Sequence, residues 1–448
     1  MFERAASGER AILVCVGLGR APEPDRIEEF TALARSAGAE VLEVMAATRK
    51  SADPRFLVGS GKVEELRARV EALGAEVVVV DAALSPSQER NLEKELKCRV
   101  LDRSGLILDI FAQRARTFEG KLQVELAQLE HMSTRLVRGW THLERQRGGG
   151  IGLRGPGETQ LETDRRLIGK RIKTLNDRIE KVLQQRETTR QERKRQQLPT
   201  IALVGYTNAG KSTLFNRLAR ADAYAADQLF ATLDPTVRRL HLAPGLETAL
   251  ADTVGFVRDL PHELVAAFRS TLREAREADL LLHVIDAADP ERNERIAQVN
   301  KVLKSIGAEH VPQVAVYNKI DRSGENARAE AGENGLIDRV WVSAHSGAGV
   351  DLLLQALHER LGADHCRCVL RIPPRAGRAR ARLFEAGAVI GQKTLEDGIL
   401  ELEVSMRRAD LERICRDDGI ELPSANAPCA DGDRFLQSAV SLAARGAA

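Results

Sequence analysis

Residues 205–212, which read GYTNAGKS, constrain the fold of this chain more than any other feature. They have the form G-x-x-x-x-G-K-S, they follow an apolar run at residues 201–204, and they precede a stretch with the pattern of a helix. In such a unit of strand, loop and helix, the loop N–H groups and the helix N-terminus bind phosphates. We therefore expect Lys211 to contact the β- and γ-phosphates of a nucleotide and Ser212 to coordinate Mg²⁺.

A D-x-x-G motif at residues 252–255 ends the predicted strand 248–252. Because the carboxyl ends of neighbouring strands meet at one edge of a sheet, Asp252 should lie beside the magnesium ion. Glycine at position 255 lets a backbone N–H approach the γ-phosphate, since a side chain there would block the contact. The motif thus predicts a metal ligand, Asp252, and a contact to the reacting phosphate, Gly255.

An N-K-x-D motif at residues 318–321 predicts guanine as the base. Asp321 can accept hydrogen bonds from the N1 and N2 positions of guanine, and adenine offers neither donor. Ser343 and Ala344, after the last predicted strand, complete the purine pocket through their backbone. We expect GTP as the substrate and GDP as the product.

The loop between the first two motifs should supply a threonine that binds magnesium and senses the γ-phosphate. We choose Thr232, with Thr236 as the alternative, because Thr236 can equally begin the next strand. The predicted catalytic residues are Lys211, Thr232 and Gly255, and the predicted metal ligands are Ser212, Thr232 and Asp252. The predicted nucleotide contacts are Gly205, Tyr206, Thr207, Asn208, Ala209, Gly210, Lys211, Ser212, Thr213, Phe230, Ala231, Thr232, Asp252, Thr253, Val254, Gly255, Asn318, Lys319, Asp321, Ser343 and Ala344.

Two departures from the common pattern of such sites bear on the mechanism. Many GTPases place glutamine directly after the D-x-x-G glycine to orient the attacking water, whereas this chain has Phe256. We therefore expect slow intrinsic hydrolysis, with the missing contacts supplied by a partner or by another residue drawn in on binding. Asn208 stands where a subset of related GTPases uses asparagine to help bind K⁺, and the alternative is that it caps the loop backbone.

Patterns along the chain predict a multidomain α/β protein with four parts. Short apolar runs alternate with helical patterns in residues 1–115, which predicts a small α/β domain with a largely parallel sheet. Apolar residues at steps of three and four flank the glycine-rich residues 148–157, so residues 116–198 should form a helical hairpin with a glycine-rich tip. Residues 199–363 should form a Ras-like P-loop GTPase domain with a mixed six-stranded sheet, and residues 364–448 a small α+β domain.

Composition excludes several classes of protein. No apolar run approaches the roughly 20 residues that a membrane helix needs, and the first ten residues lack the apolar core of a secretory signal. The six cysteines show no paired metal-ligand spacing, so we expect reduced, structural thiols. We expect a cytoplasmic protein without a membrane span that is monomeric when free, and peripheral association with a membrane stays open.

With these motifs assembled, the chain resembles the HflX family of ribosome-associated GTPases between about residues 56 and 361. The most specific elements lie outside the nucleotide site: FLVGSGKVEEL at residues 56–66, LDRSGLILDIFAQRA at residues 101–115, and GGGIGLRGPGETQLE at residues 148–162. The resemblance implies binding to the large ribosomal subunit and its rRNA, with a role in splitting or rescuing ribosomes under stress. It also implies a branch in which a hydrophobic residue replaces the catalytic glutamine.

Charge in the predicted hairpin favours an RNA-rich partner. Residues 135–195 contain 17 Lys or Arg and 8 Asp or Glu, an excess of nine positive charges. Such an excess suits contact with a phosphate backbone and predicts salt-sensitive binding. The alternative is that these charges merely solvate exposed helices.

Residues 59–62, which read GSGK, invite a second nucleotide site in the N-terminal domain. Some members of the HflX family are associated with ATP, so ATP binding there is one interpretation. The motif is too short for a P-loop, and we favour a turn that starts a helix.

Two other functions stay open at this point. A GTPase that acts in RNA modification or ribosome assembly would share Asn208 and the same core motifs. A regulatory scaffold would use GTP binding to gate protein partners, with hydrolysis incidental. Attachment to the large ribosomal subunit in the presence of a GTP analogue would separate these two functions from a role in splitting or rescuing ribosomes.

Overall fold

The computed structural model describes residues 8–136, 160–195, 198–219, 230, 232, 236–243, 246–258, 269–362, 365–395 and 399–420. Within these residues, the chain forms an N-terminal α/β domain, two long helices, a central α/β domain and a small C-terminal α+β domain. The predicted multidomain α/β class is confirmed. None of the described helices is both long enough and apolar enough to cross a membrane.

The N-terminal domain is a four-stranded parallel sheet of order β2-β1-β3-β4 with helices on both faces. Its elements are β1 (Arg10–Leu18), α1 (Pro24–Ser36), β2 (Glu40–Arg49), α2 (Ser60–Leu73), β3 (Val77–Val80), α3 (Pro86–Leu96), β4 (Arg99–Asp102) and α4 (Arg103–Arg114). Only the two terminal residues of β1 are exposed, as expected for a strand covered on both faces. Because β2 and β3 lie on opposite sides of β1, the carboxyl ends of β1 and β3 flank a crevice.

Two long helices follow, α5 (Phe118–Leu136) and α6 (Gln160–Arg195), and they pack against each other. Arg171 of α6 donates a hydrogen bond of 2.8 Å to Glu125 of α5. The two arms of the predicted hairpin are therefore present, and a polar extension continues α6 beyond its apolar stripe. The glycine-rich residues 148–157, predicted as the tip, lie outside the described residues.

The central domain contains a seven-stranded mixed sheet of order β10-β11-β9-β8-β5-β7-β6. Its elements are β5 (Thr200–Gly205), α7 (Lys211–Ala219), β6 (Thr236–Ala243), β7 (Leu246–Asp252), α8 (Arg269–Arg276), β8 (Leu280–Asp286), α9 (Arg292–Ser305), β9 (Gln313–Asn318), α10 (Ile320–Ser323), β10 (Arg328–Ala331), β11 (Ile337–Trp341) and α11 (Val350–Leu361). The prediction of six strands missed β10. This edge strand has four residues, three of them exposed, and therefore carries no apolar pattern.

One hydrophobic core joins the N-terminal and central domains. It contains Phe30 and Phe111 from the first domain together with Phe230 and Phe256 from the second, all at most 2% exposed. Separate clusters cover the other face of the N-terminal sheet and the other face of the central sheet. The shared core therefore lies on the side of each sheet that faces the other domain.

The C-terminal domain is an antiparallel sheet of order β12-β14-β13. Its elements are β12 (His365–Ile372), α12 (Gly377–Glu385), β13 (Val389–Thr394), β14 (Leu400–Arg407) and α13 (Arg408–Asp418). Alternate strand residues, including Leu370 and Leu402, pack with both helices in a core of their own. Residues 421–448 lie outside the described residues.

Candidate active site

The carboxyl ends of the central strands open onto a cavity of about 340 Å³. Strand β5 ends at Gly205 and helix α7 begins at Lys211, so the phosphate-binding loop is the turn between them. The cavity is lined by Thr207, Asn208, Gly210, Lys211, Ser212, Thr213, Phe230, Thr232, Thr253, Gly255, Asn318, Lys319, Asp321, Arg322, Ala344 and His345.

Close backbone approach explains the two glycines of the loop. Gly205 has φ +147°, and a Cβ there would lie 2.2 Å from the carbonyl oxygen of Val284. Gly210 has φ +90°, and its Cβ would lie 2.2 Å from Nδ2 of Asn318. Both the left-handed backbone and the lack of space require glycine, so the motif spacing is a packing requirement of this loop.

The three predicted metal ligands converge at one point. Oγ of Ser212 lies 2.7 Å from Oγ1 of Thr232 and 2.7 Å from Oδ2 of Asp252. Oγ1 of Thr232 is 2.9 Å from the same carboxylate oxygen. The other carboxylate oxygen, Oδ1 of Asp252, is buried and has no hydrogen-bond partner among the described residues. Two hydroxyls and an unsatisfied carboxylate form a donor set that fits Mg²⁺.

The structure also separates the two threonines considered for this role. Thr232 lies at the convergence point, whereas Thr236 begins β6 and pairs with Asp252 across the antiparallel ladder. A residue in a strand ladder has its position set by sheet register. The geometry favours Thr232 as the predicted magnesium ligand and gives Thr236 a structural role.

Burial sets the charge balance of the phosphate end. The side chain of Lys211 is buried, its Nζ donates to the carbonyl oxygen of Tyr206 at 2.8 Å, and burial lowers its pKa to about 8. Burial also raises the pKa of Asp252. Each charge is withdrawn from water, so each gains strongly from an opposite charge: a polyphosphate for Lys211 and a divalent cation for Asp252.

The D-x-x-G turn closes over the phosphate loop. A Cβ on Gly255 would lie 2.7 Å from Cγ2 of Thr207 and 3.0 Å from Nζ of Lys211, so only glycine fits. The next residue, Phe256, is 1% exposed and packs in the shared core. Its backbone bridges to the loop, because its N–H donates to the carbonyl of Gly205 and its carbonyl accepts from the N–H of Thr207. A side chain packed in this core cannot orient a water molecule.

At the base end, Asn318 ties the two halves of the pocket together. Its Nδ2 donates to the carbonyl of Ala209 and its Oδ1 accepts from the N–H of Ala344, both at 2.9 Å. Asp321 accepts a 2.6 Å hydrogen bond from Oγ of Ser343, and this bond is the main reason that its pKa is lowered. A carboxylate that stays ionised is an acceptor for the N–H groups of guanine.

The predicted contacts divide into three groups. Most line the cavity, whereas Gly205, Tyr206, Ala209, Asp252, Val254 and Ser343 lie behind the lining residues as supports. Ala231 lies outside the described residues. Arg322 and His345 also line the cavity and were not predicted, although each directly follows a predicted contact. Arg217, also not predicted, donates to the carbonyls of Ala344 and His345.

The glycine-lysine segment of the N-terminal domain starts a helix. Gly59 is the N-cap of α2 in an extended conformation, and Lys62 donates to Glu65 at 3.0 Å in the first turn. The favoured interpretation of residues 59–62 as a helix-starting turn agrees with this geometry.

Family models match most of the chain in three consecutive stretches. Residues 24–112 match "GTP-binding GTPase N-terminal", residues 114–193 match "GTP-binding GTPase Middle Region", and residues 200–319 match "50S ribosome-binding GTPase". The matches cover most of the N-terminal domain, the two long helices and most of the central domain.

Similar proteins carry the same description. The chain is 55% identical over 419 residues to GTPase HflX of Escherichia coli strain K12, covering 93% of this chain and 98% of the relative. It is 47% identical over 406 residues to GTPase HflX of Magnetococcus marinus, covering 89% and 92%. Among solved structures, a GTP-binding protein from Sulfolobus solfataricus in complex with GDP is 23% identical, with a TM-score of 0.42 over 79% of this chain and 99% of that chain.

Proposed function

The chain belongs to the HflX family of GTPases, and from this premise we propose that it binds the large ribosomal subunit and its rRNA and splits or rescues ribosomes under stress. Hydrolysis of GTP is stimulated by the ribosome in this proposal. The observation that carries it is the match of residues 200–319 to a family of 50S ribosome-binding GTPases. The same central domain contains the three predicted magnesium ligands, which converge, and the motif predicted to bind guanine.

The chain's own residues provide position and charge for phosphoryl transfer. Ser212, Thr232 and Asp252 would hold Mg²⁺, which when bound supplies charge neutralisation at the β- and γ-phosphate oxygens. Lys211 brings a positive charge to the same oxygens from the floor of the cavity. The N–H of Gly255 would donate to the γ-phosphate in this proposal, and the glycine supports it because no side chain separates this N–H from the phosphate loop.

Placement of the attacking water is left incomplete by these residues. Phe256 is packed in the core, so the position that carries glutamine in many GTPases contributes no polar atom here. We infer that intrinsic hydrolysis is slow and that the ribosome completes the site. Asn208 lines the cavity and is available to help bind K⁺. Equal hydrolysis rates in K⁺ and Na⁺ buffers would remove the role of K⁺.

The two long helices are the proposed RNA-binding element. Helix α6 carries 12 Lys or Arg against 6 Asp or Glu within residues 160–195. A basic helix of this length can follow a phosphate backbone, and its binding should weaken steeply as salt rises. Residues 137–159, which join the two helices in the sequence and include the glycine-rich segment predicted to approach folded RNA, lie outside the described residues.

Sedimentation with ribosomal subunits tests the proposal most directly. The full chain is mixed with large subunits, small subunits or precursor particles in the presence of a non-hydrolysable GTP analogue or GDP. We expect attachment to mature large subunits with the analogue and little with GDP, together with faster GTP hydrolysis when ribosomes are added. Attachment only to precursor particles would instead support ribosome assembly or RNA modification, and no attachment would support a GTP-gated scaffold.

Location and state in the cell follow from this partner. We propose a cytoplasmic protein, monomeric when free, whose association with membranes is at most peripheral. ATP binding by the N-terminal domain is the remaining alternative for residues 59–62. Titration with a fluorescent ATP analogue in the presence of saturating GDP tests it, because the central site is then already filled.

A further inference from the structure

Several contacts between the N-terminal and central domains fall on the segments that surround the phosphates. Three such segments take part among the described residues: the phosphate loop at Tyr206, the loop that carries Thr232 (the switch loop) at Phe230, and the turn after the D-x-x-G motif at Arg258. Away from the phosphates, Glu291 contacts Asp25 of α1. The base-binding segments make their described contacts within the central domain itself. The N-terminal domain is thus placed to act on the end of the nucleotide that differs between GTP and GDP.

The first contact is an aromatic pair between Phe111 of α4 and Phe230 of the switch loop. Their ring centroids are 4.6 Å apart with an interplanar angle of 79°, an edge-to-face arrangement, and both rings are at most 2% exposed. Phe230 has φ +56°, which a residue with a Cβ adopts only when its surroundings require it. Packing against Phe111 can hold the backbone of Phe230 in this conformation.

Phe230 precedes Thr232 by two residues, and Thr232 is the loop residue among the converging magnesium ligands. A short chain segment anchored at Phe230 has little freedom at Thr232, since two residues span only about 7 Å. The aromatic pair therefore helps to hold the Thr232 hydroxyl at Ser212 and Asp252.

The second contact holds the turn after Gly255 by both of its backbone polar groups. The N–H of Arg258 donates to the hydroxyl oxygen of Tyr206 at 2.8 Å, and that hydroxyl donates to Glu29 of α1. The carbonyl of Arg258 accepts from the Arg103 guanidinium at 3.1 Å. Arg103 is itself paired with Glu29 and with Asp81, so the turn is tied to a buried ion-pair network of the N-terminal domain.

Simple domain adhesion is the competing explanation of these contacts. Adhesion would stabilise the chain equally with any bound nucleotide. Control of Thr232 and of the Gly255 turn would instead act on the γ-phosphate and magnesium, and would leave the guanine and the shared phosphates unaffected. The two explanations thus differ in the ratio of affinities for GTP and GDP.

We propose that Phe111 and Glu29 of the N-terminal domain are positioning residues for GTP hydrolysis, holding the switch loop through Phe230 and the D-x-x-G turn through Tyr206. The N-terminal domain is in this sense a built-in partner of both switch segments. By linkage, a GTP-bound site holds the N-terminal domain more tightly than a GDP-bound site does. The proposal rests on the assignment of Thr232 to magnesium.

The test compares Phe111→Ala with a matched aromatic truncation, Phe56→Ala, in full-length protein. Phe56 is also a buried aromatic of the N-terminal domain but packs on the opposite face of the sheet. Affinities are measured with a fluorescent GDP and a fluorescent non-hydrolysable GTP analogue, and the Mg²⁺ dependence of GTP hydrolysis is measured alongside. Folding of each variant is checked by circular dichroism.

We expect Phe111→Ala to weaken the GTP analogue about tenfold, the scale of one buried aromatic pair, while GDP affinity changes less than about twofold. The Mg²⁺ concentration for half-maximal hydrolysis should rise, and Phe111→Leu should restore part of the loss. Phe56→Ala should keep the wild-type ratio. Equal losses for both nucleotides, no loss for either, or the same ratio change in Phe56→Ala would each overturn the positioning role.

Tyr206→Phe provides a second variant that removes one hydroxyl and little volume. We expect the same direction of change with a smaller size, about fivefold for the GTP analogue. Thr232→Ala in the same assays separates this proposal from the site assignment on which it rests. An unchanged Mg²⁺ requirement in Thr232→Ala would show that the metal assignment is wrong, whereas a raised requirement there with no effect of Phe111→Ala overturns only the positioning role.

Discussion

The two α/β domains of this chain have similar layers, but the crevice at the carboxyl ends of the strands is open in one domain and filled in the other. In the central domain the crevice is an open cavity of about 340 Å³ beside the phosphate loop. In the N-terminal domain, the corresponding crevice is filled by charged side chains of the protein itself. Asp81 is fully buried there and accepts from Arg26 at 2.5 Å and from Arg103 at 2.7 Å.

This difference shows that two domains of the same architecture can differ in whether the crevice can bind a ligand, because different side chains line it. Glycines at the strand end of the central domain leave room for phosphates. In the N-terminal crevice, the guanidinium groups of Arg26 and Arg103 are already paired with the protein's own carboxylates. The filled crevice instead faces the central domain, where Arg103 reaches the carbonyl of Arg258. One crevice carries the predicted nucleotide-binding residues, and the other contacts the turn that follows the D-x-x-G motif.

Of the substitutions that test this difference, Arg103→Ala should have the largest effect, which is a loss of stability. Its removal leaves the buried carboxylates of Asp81 and Glu29 without their central partner, so we expect a loss of about 3–5 kcal/mol in the free energy of unfolding. Urea denaturation of the full chain measures it. Arg67→Ala, a change at an exposed arginine of α2, should stay within about 0.5 kcal/mol. An Arg103→Ala variant as stable as the wild type would mean that the network is not closing the crevice.

Lys211→Ala tests whether the open crevice of the central domain binds the phosphates of GTP. Loss of a buried ammonium that contacts phosphate should weaken GTP binding by about 100-fold, or about 3 kcal/mol. Equilibrium titration with fluorescent GTP measures the change. The lysine of the other glycine-lysine segment gives the matched control: Lys62→Ala should bind GTP as the wild type does, because Lys62 is paired with Glu65 on α2. A weakened Lys62→Ala would point to a second nucleotide site.

Comparison of Thr232→Ala with Thr236→Ala tests which of the two threonines binds Mg²⁺ in the open crevice. Thr232 lies among the predicted magnesium ligands, so its loss should raise the Mg²⁺ concentration for half-maximal hydrolysis by about tenfold or more. Thr236 pairs in a strand, and its loss should leave the Mg²⁺ requirement unchanged. Magnesium titration of the GTPase rate decides between them, and a reversed order would exchange their roles.

A further expected effect concerns the dependence of stability on pH. His283 of β8 is buried beside the phosphate loop, and burial together with the charge of Lys211 lowers its pKa to about 4. The unfolded chain binds a proton at this residue near pH 6.5, so the folded state loses stability as pH falls from 6.5 towards 4, by at most about 1.4 kcal/mol per pH unit. Urea unfolding at pH 7.5 and 5 should show a smaller difference for His283→Asn than for the wild type. His310→Asn, at an exposed histidine, should keep the wild-type difference.

Local patterns in the sequence predicted much of the fold. The apolar run before the glycine-rich loop and the alternation of residues 1–115 are short-range signals, so both sheets could be expected from them. The edge strand β10 was missed because its four residues have no buried face to impose an alternation. The hairpin arms were predicted from spacing alone, since helices that pack along a seam repeat apolar residues every three or four positions.

Three local motifs were enough to predict the chemistry of this protein. The spacing of residues 205–212, 252–255 and 318–321 predicts GTP and magnesium because each motif is local and its backbone geometry is set by glycine or by the end of a strand. The tertiary structure was needed to bring Thr232, and not Thr236, beside Ser212, and to bring Phe111, Glu29 and Arg103 to the switch segments. The contacts of Phe111, Glu29 and Arg103 join residues more than 100 positions apart, and long-range packing between two domains leaves no periodic signal in one sequence.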